Sequence, residues 1–349
     1  MVKKNIREKL WEGKMEEFEN IAISSRIRLA RNVDGLKFYT KLDSDIDANY
    51  ITNAVMKTLE NFDAFSYIKL KDLSLNECNS LFEQHLISKE LIENKDISGV
   101  AISEDEKIIV MINEEDHIRE QCIENGFNLY KAYRRLNKID DQIISSLPIA
   151  FDKNLGFITA SPSNLGTGMR ASVMLFLPAL EMQKEMDILF ASAKERGLTV
   201  RGIYGEGSQA KGSLYQISNQ GSLGQSEDEI IDNVSQFIYE IINKEKHARE
   251  DLLQTQFDEL KDKTIRAYGI LTNCNILDED EMMDLLSLVK FGSALGFLEI
   301  SDDEKFMKLF YKGASANLKE IFGFFENKKE NIIRSEYISK EIKNLVHRR

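Results

Sequence analysis

Residues 24–32 read SSRIRLARN, from Ser24 to Asn32, and place Arg26, Arg28 and Arg31 within nine positions. The chain as a whole favours lysine, with 31 Lys against 15 Arg, so a local run of arginine needs its own reason. If the segment is extended, Arg26 and Arg28 fall on one face, because strand side chains alternate. Two guanidinium groups side by side repel unless an anion lies between them. The stretch therefore points to a strand facing an anion. Arg31, taken alone, reads as a solvated or salt-bridged surface residue.

The 349 residues suit one large or two medium domains. A hydrophobic content of 42% is enough for a core, and with only 3 prolines there is no Ser/Gly/Pro-rich linker. A net charge of −12 and a pI near 5.1 argue against direct binding of nucleic acid by bulk electrostatics. Any anion site is then a local cluster in an acidic whole. Cys78, Cys122 and Cys274 are far apart and odd in number, with neither zinc spacing nor a disulfide pattern. The N-terminal MVKKNIREKLWEGKMEEFEN is charged and helix-like and lacks the apolar centre of a signal peptide. No run is long enough to span a membrane. A cytoplasmic protein is expected.

Ten of the 19 glycines lie between Gly156 and Gly224. That distribution predicts a strand-and-loop part up to about residues 225–255 and helices after it. Residues 98–115 predict a hairpin turning at Glu104-Asp105-Glu106. Residues 114–144 read as one helix, 156–164 and 171–180 as strands joined by NLGTGMR, and 181–197 as a helix ending at Gly197. Residues 198–220 read as two strands around a Gly-rich loop. Residues 226–254 read as a long helix with acids in its first turn, as the helix dipole favours.

Four segments combine Arg or acid with Gly near predicted strand ends: SSRIRLARN, NEEDHIR, SPSNLGTGMRAS and RGIYGEG. They carry Arg26, Arg28, Arg119, Arg170 and Arg201. Arginine offers a rigid fork that matches phosphate oxygens, and glycine lets backbone approach a ligand. Five such forks in one cleft would hold a triphosphate. NLGTGMR is not a Walker loop, since it lacks the Gly-Lys-Ser/Thr ending. Glu114, Glu115 and Asp116 also fit a plain helix-start cluster, and His85 an ordinary helix histidine. Glu206, between Gly205 and Gly207, has no evident surface reason.

Together these motifs resemble the phosphagen (guanidino) kinases over roughly residues 15–255, and within that superfamily the bacterial protein arginine kinases. Small-metabolite members carry a helical domain before the first Arg motif; here that motif begins at Ser24, and a helical extension follows the catalytic region instead. The resemblance implies an α+β fold: a guanidino-kinase catalytic domain over 1–255, with a mostly antiparallel sheet flanked by helices, and an all-helical C-terminal domain over 256–349 for protein contacts or dimerisation. It implies ATP with Mg²⁺. The positions that match the family's nucleotide contacts are Ser24, Ser25, Arg26, Ile27, Arg28, His85, Arg119, Arg170, Ala171, Ser172, Val173, Met174, Arg201, Gly202, Ile203, Tyr204 and Gly205. His85 would stack near the adenine. Glu115 and Glu206 match the two carboxylates that grip a guanidinium.

The implied reaction is phosphoryl transfer to arginine side chains of proteins. A guanidinium is a poor nucleophile because its pKa exceeds about 12; two carboxylates align it, and Glu115 takes the proton as the N–P bond forms. Alignment and charge stabilisation do the rest. By resemblance, the phosphorylated proteins go to a Clp-type protease, a zinc-binding activator protein stands nearby, and the change of charge can release a repressor from DNA. A homodimer and a role in a stress response belong to the same reading.

Two departures stand out. Ser161 occupies the place where the family has Cys, and a hydroxyl does not ionise near neutral pH, so slower catalysis is expected. The C-terminal phosphoarginine motif of the family, Arg-Asp-x-x-Arg-Ala, keeps only Arg334 in ENIIRS, and Arg334 reads as a helix-surface residue. A small-guanidine kinase and a weakened ATP-binding adaptor are the alternatives.

Overall fold

The alternation around Ile27 forms β1 (Ala22–Arg31), which lies inside an eight-stranded sheet. The computed structural model describes residues 18, 20–38, 45–62, 65–202, 211–325 and 327–349. The helix expected near the N-terminus therefore lies, for residues 1–17, outside the described residues, as do Ile203, Tyr204, Gly205 and Glu206. After β1 come α1 (Asp45–Leu59) and β2 (Phe65–Lys69). A capping box starts α2 (Leu75–Glu83): the Ser74 and Glu77 side chains each accept from the other's backbone N–H. Then follow α3 (Lys89–Glu93) and the expected hairpin of β3 (Gly99–Ser103) and β4 (Ile108–Ile112).

Residues 114–144 do not form one helix. Their first half is β5 (Ile118–Asn125), inserted between β4 and β1, and α4 (Leu129–Ser146) starts only after Gly126 turns the chain at φ 67°. The acids that mimic a helix surface point inward. Glu124 is buried and meets Arg135, Lys131 and Lys107 at 2.6, 3.0 and 3.2 Å. Residues 156–164 are mostly loop. Only a short ribbon of β6 (Phe151–Asp152) and β7 (Gly156–Phe157) precedes a 3-10 turn at Pro162–Asn164. In 171–180 the strand β8 (Met169–Phe176) stops, and Pro178 opens α5 (Pro178–Met182). Lys184, at φ 61°, separates α5 from α6 (Met186–Glu195), so 181–197 is two helices. β9 (Leu198–Gly202) and β10 (Leu214–Asn219) pair antiparallel as expected, and the Ser226 capping box starts α7 (Glu227–Thr255).

The C-terminal part is helical, with α8 (Phe257–Asn273) and α9 (Glu279–Ala294). After β11 (Leu298–Ile300) come α10 (Asp303–Lys312), α11 (Ser315–Phe322), α12 (Asn327–Leu345) and β12 (Val346–Arg348). β11 and β12 make a small antiparallel ribbon that the helical pattern did not announce. Arg334 is not a surface residue. It is 1% exposed, and its donors go to Gly313 O, Leu277 O, Asn331 Oδ1 and Glu330 Oε1, which ties three helices together.

The sheet runs β2-β3-β4-β5-β1-β8-β10-β9, with every pairing antiparallel. One face carries Ile27, Leu29, Ala171, Val173 and Ile217 into a core shared with α4, α7 and the C-terminal helices. Each of the larger ones, Ile27, Leu29, Val173 and Ile217, contributes about 1.5–3 kcal/mol when fully buried. On the other face, Val100, Ile109 and Met111 of β3 and β4 meet Leu70, Cys78 and Leu91 in a second, smaller core under α2 and α3. The three cysteines are free thiols.

Arg31 belongs to the main core. It is 1% exposed, donates to both oxygens of Asp140 at 2.8 and 2.7 Å, and stacks 3.7 Å over the Phe157 ring. Its remaining nitrogen donates to Ala30 O and Thr167 O. The expectation of a surface arginine fails because position 31 is odd-numbered in a strand whose odd positions face the core.

Candidate active site

The strand register gathers the arginines. Arg28 on β1 lies opposite Gln121 on β5 and Arg170 on β8; Arg26 lies opposite Ile123 and Ser172; Ser24 lies opposite Met174. Arg201 on β9 faces Gln216 on β10, which in turn faces Met174. Cross-strand partners share a face, and so do residues two apart. Arg119, two before Gln121, thus joins the same surface. Arg26, Arg28, Arg119, Arg170 and Arg201 are half-buried on it, on the side where the second core ends.

The other matched positions divide. Ser25, Ile27, Ala171 and Val173 point to the core face and are fully buried; Ser25 Oγ donates to Gly126 O and accepts from Asn128 N. Only their backbone borders the cationic surface. Ser172 stays on that surface, and its hydroxyl donates to Arg26 O. Gly202 ends β9. The glycines of NLGTG serve the protein itself: a Cβ on Gly168, at φ 67°, would meet Arg31 Nη1 at 2.5 Å and Ala30 O at 2.7 Å.

Two of the guanidinium groups on this surface are held below their ordinary basicity. Burial first, then Arg119 and Arg170, pull the Arg26 guanidinium down to about 10. Arg28 is held well below its ordinary value by burial, then by Arg26, Arg119 and Arg170, with Glu114 acting against them. The buried Arg28 Nε has no hydrogen-bond partner among the described residues. Guanidinium groups seldom depart from full basicity, and an anion placed among these groups would offset the repulsion between them. His85 stands at the rim, in the turn after α2. Its ring is solvent-accessible but walled by protein; that surrounding, and then the Arg26 charge, hold it at about 4.

An acidic turn closes one end. Residues 113–117 link β4 to β5, so the helix-start reading of Glu114, Glu115 and Asp116 does not hold. Asn113 N donates to His117 O and Glu114 N to Asp116 O, which throws Glu115 to the tip. Glu114, fully buried, pairs with Arg119 and accepts from Ser88 Oγ at 2.5 Å. Asp116 accepts from Asn32 Nδ2 at 2.6 Å and from Ala160 N at 2.7 Å, which brings the Ser161 loop against the turn. Ser161 Oγ shares a 2.9 Å hydrogen bond with Ser163 Oγ. The Glu115 carboxyl is raised by burial, then by Asp116 and Glu114.

Asn32, Ser88 and Gln121 were missed in the sequence. Asn32 bonds Asp116, Ile158 O and His117 N. Its only signal was its place at the end of the arginine run. Gln121 and Ser88 had no signal beyond polarity in apolar surroundings.

A cationic sheet face beside an acidic turn is the layout of a group-transfer enzyme that works between an anion and a cation. The chain belongs to the ATP:guanido phosphotransferases: the model of their C-terminal catalytic domain matches residues 48–248. The model described as the protein-arginine kinase McsB C-terminal domain matches residues 257–349. The chain is 43% identical to a protein-arginine kinase of Clostridium acetobutylicum over 333 residues, 93% of this chain and 96% of that protein. It is 39% identical to one of Clostridium tetani over 329 residues, 94% and 96%. Among solved structures it is similar to the duplicated taurocyamine kinase of Schistosoma mansoni, with 30% identity and a TM-score of 0.58 over 65% of this chain. That match spans 33% of the duplicated chain. A lombricine kinase matches with 27% identity and a TM-score of 0.56, over 65% of this chain and 67% of the other. The chain is thus a phosphotransferase of the guanidino class, with ATP as the family's donor. Among the described residues, no helix is long and apolar enough to cross a membrane.

Proposed function

We propose that this protein phosphorylates arginine side chains of other proteins from Mg²⁺-ATP. The observation that carries the reading is the set of half-buried arginines on one sheet face, two of them held below normal basicity, ending at an acidic turn. Relatives covering nearly the whole chain are protein-arginine kinases.

In this reading Arg26, Arg28, Arg119, Arg170 and Arg201 hold the phosphates, and the backbone of Ser24–Arg28 and Arg170–Met174 lines the nucleotide. His85 lies along the base. Mg²⁺ would come with the phosphate oxygens as part of the substrate. Glu115 orients the incoming guanidinium and accepts its proton. Burial, then Asp116 and Glu114, raise its pKa, which makes the carboxylate a stronger base than an exposed one. Glu206 would grip the second edge of the guanidinium, and residues 203–205 would border the phosphates. Ser161, beside the acidic turn, donates a hydrogen bond at the acceptor end but adds no charge. Residues 1–255 form the catalytic part in this scheme and 256–349 the part that meets other proteins or a second copy. A Clp-type protease and a zinc-binding activator follow from the resemblance alone.

One assay tests the reading. The protein is incubated with ATP and Mg²⁺ plus casein or free arginine, and phosphate that is acid-labile and base-stable is sought. Label on casein is the expected result. Label on free arginine alone marks a small-guanidine kinase, and label on neither marks an adaptor.

A further inference from the structure

The turn after α2 is held in an unfavourable conformation. His85 has φ 61°, the left-handed region, which a non-glycine residue keeps only where its surroundings fix it. Locally the end of α2 does so, with Leu86 N donating to Leu81 O at 3.0 Å and His85 N to Phe82 O at 2.9 Å, and two other parts of the molecule grip the same turn. From the sheet, Gln121 Nε2 donates to His85 O and Leu86 O, both at 3.2 Å. From the C-terminal helices, Asn317 Oδ1 accepts from Gln84 Nε2 at 3.0 Å and from Ser80 Oγ at 2.9 Å.

Glu83 completes the second grip. The first N–H groups of a helix have no partner within it and call for a cap. The N-cap of α11 is Ala314, which has no side-chain acceptor. The carboxylate of Glu83, the last residue of α2, takes that role from the other side of the sequence. Oε1 accepts from Ala316 N at 2.9 Å; Oε2 accepts from Asn317 N at 2.9 Å and Asn317 Nδ2 at 2.8 Å. A charged acceptor at a helix N-terminus makes strong bonds. Asn317 is 5% exposed, so the grip is sheltered from water.

We propose that Glu83 and Asn317 are positioning residues for the nucleotide. Through them the C-terminal region, by way of α11, sets the place of the His85 turn and hence the affinity for ATP. The inference rests on the reading of His85 as a contact to the base. Neither residue reaches the nucleotide; both act through Gln84 and His85. A displacement of α11 would therefore change ATP affinity by way of the His85 turn.

The test uses the full chain and a fluorescent ATP analogue. Glu83→Gln and Asn317→Ala are each expected to raise its Kd about fivefold, the worth of one hydrogen bond. The kcat at saturating ATP stays within about twofold, the pattern of a lost binding term. In a His85→Ala background neither substitution raises Kd further. An unchanged Kd in both single variants, or an equal rise in the His85→Ala background, overturns the inference. Asn317→Ala keeps the backbone cap intact and serves if Glu83→Gln does not fold. A wild-type protein that binds no nucleotide refutes the ATP reading and this inference with it; wild-type binding with unaffected variants refutes only the grip.

Discussion

Arg28 on β1 stands directly across from Arg170 on β8 in the antiparallel register, two cations on one face of adjacent strands. With Arg26 and Arg119 also acting on it, Arg28 is a half-buried charge held below its ordinary basicity, first by burial and then by these neighbours. Replacing it by an apolar group of similar length relieves that repulsion. Arg28→Met is expected to raise the Tm measured without ATP, while ATP affinity falls. Thermal denaturation with and without ATP reads both; a lower Tm without ATP would contradict the account.

Glu115→Gln removes the proposed proton acceptor and leaves the phosphate cradle. A loss in kcat of about 10²–10⁴ is expected, the usual contribution of a positioned base, with ATP affinity unchanged by calorimetry. Equal loss of ATP binding would make Glu115 structural. The native pH profile adds a check. Burial, then Asp116 and Glu114, hold this carboxyl above the usual range. A base must be ionised, so kcat falls as pH drops through that raised pKa. An acid limb at the ordinary carboxylate value would point elsewhere.

At position 161 a thiolate would bring a negative charge to the acceptor end, where Ser161 offers only a hydroxyl. Ser161→Cys is expected to raise kcat on a protein substrate and leave the KM for ATP unchanged. Steady-state kinetics with no gain in rate would rule the idea out.

Glu124 governs acid stability. Burial pushes its carboxyl up, but hydrogen bonds from Arg135, Lys131 and Lys107 outweigh burial and leave it lowered. A depressed carboxylate stabilises the fold above its unfolded pKa, about 4.3, and that contribution is lost as pH falls through the lower folded value. Glu124→Gln is expected to be less stable at pH 7, with the difference from native shrinking below pH 4.3. Urea denaturation at pH 7 and pH 3.5 measures it. An equal deficit at both pH values would mean the cations do not matter.

Much of the sheet was legible in local alternation. The β3–β4 hairpin, the β9–β10 pair and the Ser226-capped α7 each carry their own turn or cap signal. β5 departs from the helical reading because its inward acids, Glu120 and Glu124, sit at positions that a helix would send to solvent; in the fold Glu120 lies near Arg31 of β1, and Glu124 pairs with Arg135 of α4. Arg31 and Arg334 were misjudged for the same reason. Arg31 also donates to Thr167 O and Asp140, and Arg334 to Gly313 O and Leu277 O, and partners that distant leave no mark in the neighbouring sequence. At the site, Arg density and glycine gave the cationic segments, while the division of 24–28 and 170–174 into two faces required the register. The pairing of Asn32 with Asp116 joins positions 84 apart, which no local pattern encodes.

The cationic surface draws on β5, β1, β8 and β9, which span the chain from Ala22 to Gly202 and are interleaved in space. A nascent chain on the ribosome cannot assemble it piecemeal, since β1 needs partners synthesised 87 residues later, as for Arg31 and Ile118, to 153 later, as for Ala22 and Leu175. Such non-local pairing is slow, and it brings like charges together on one face of the sheet.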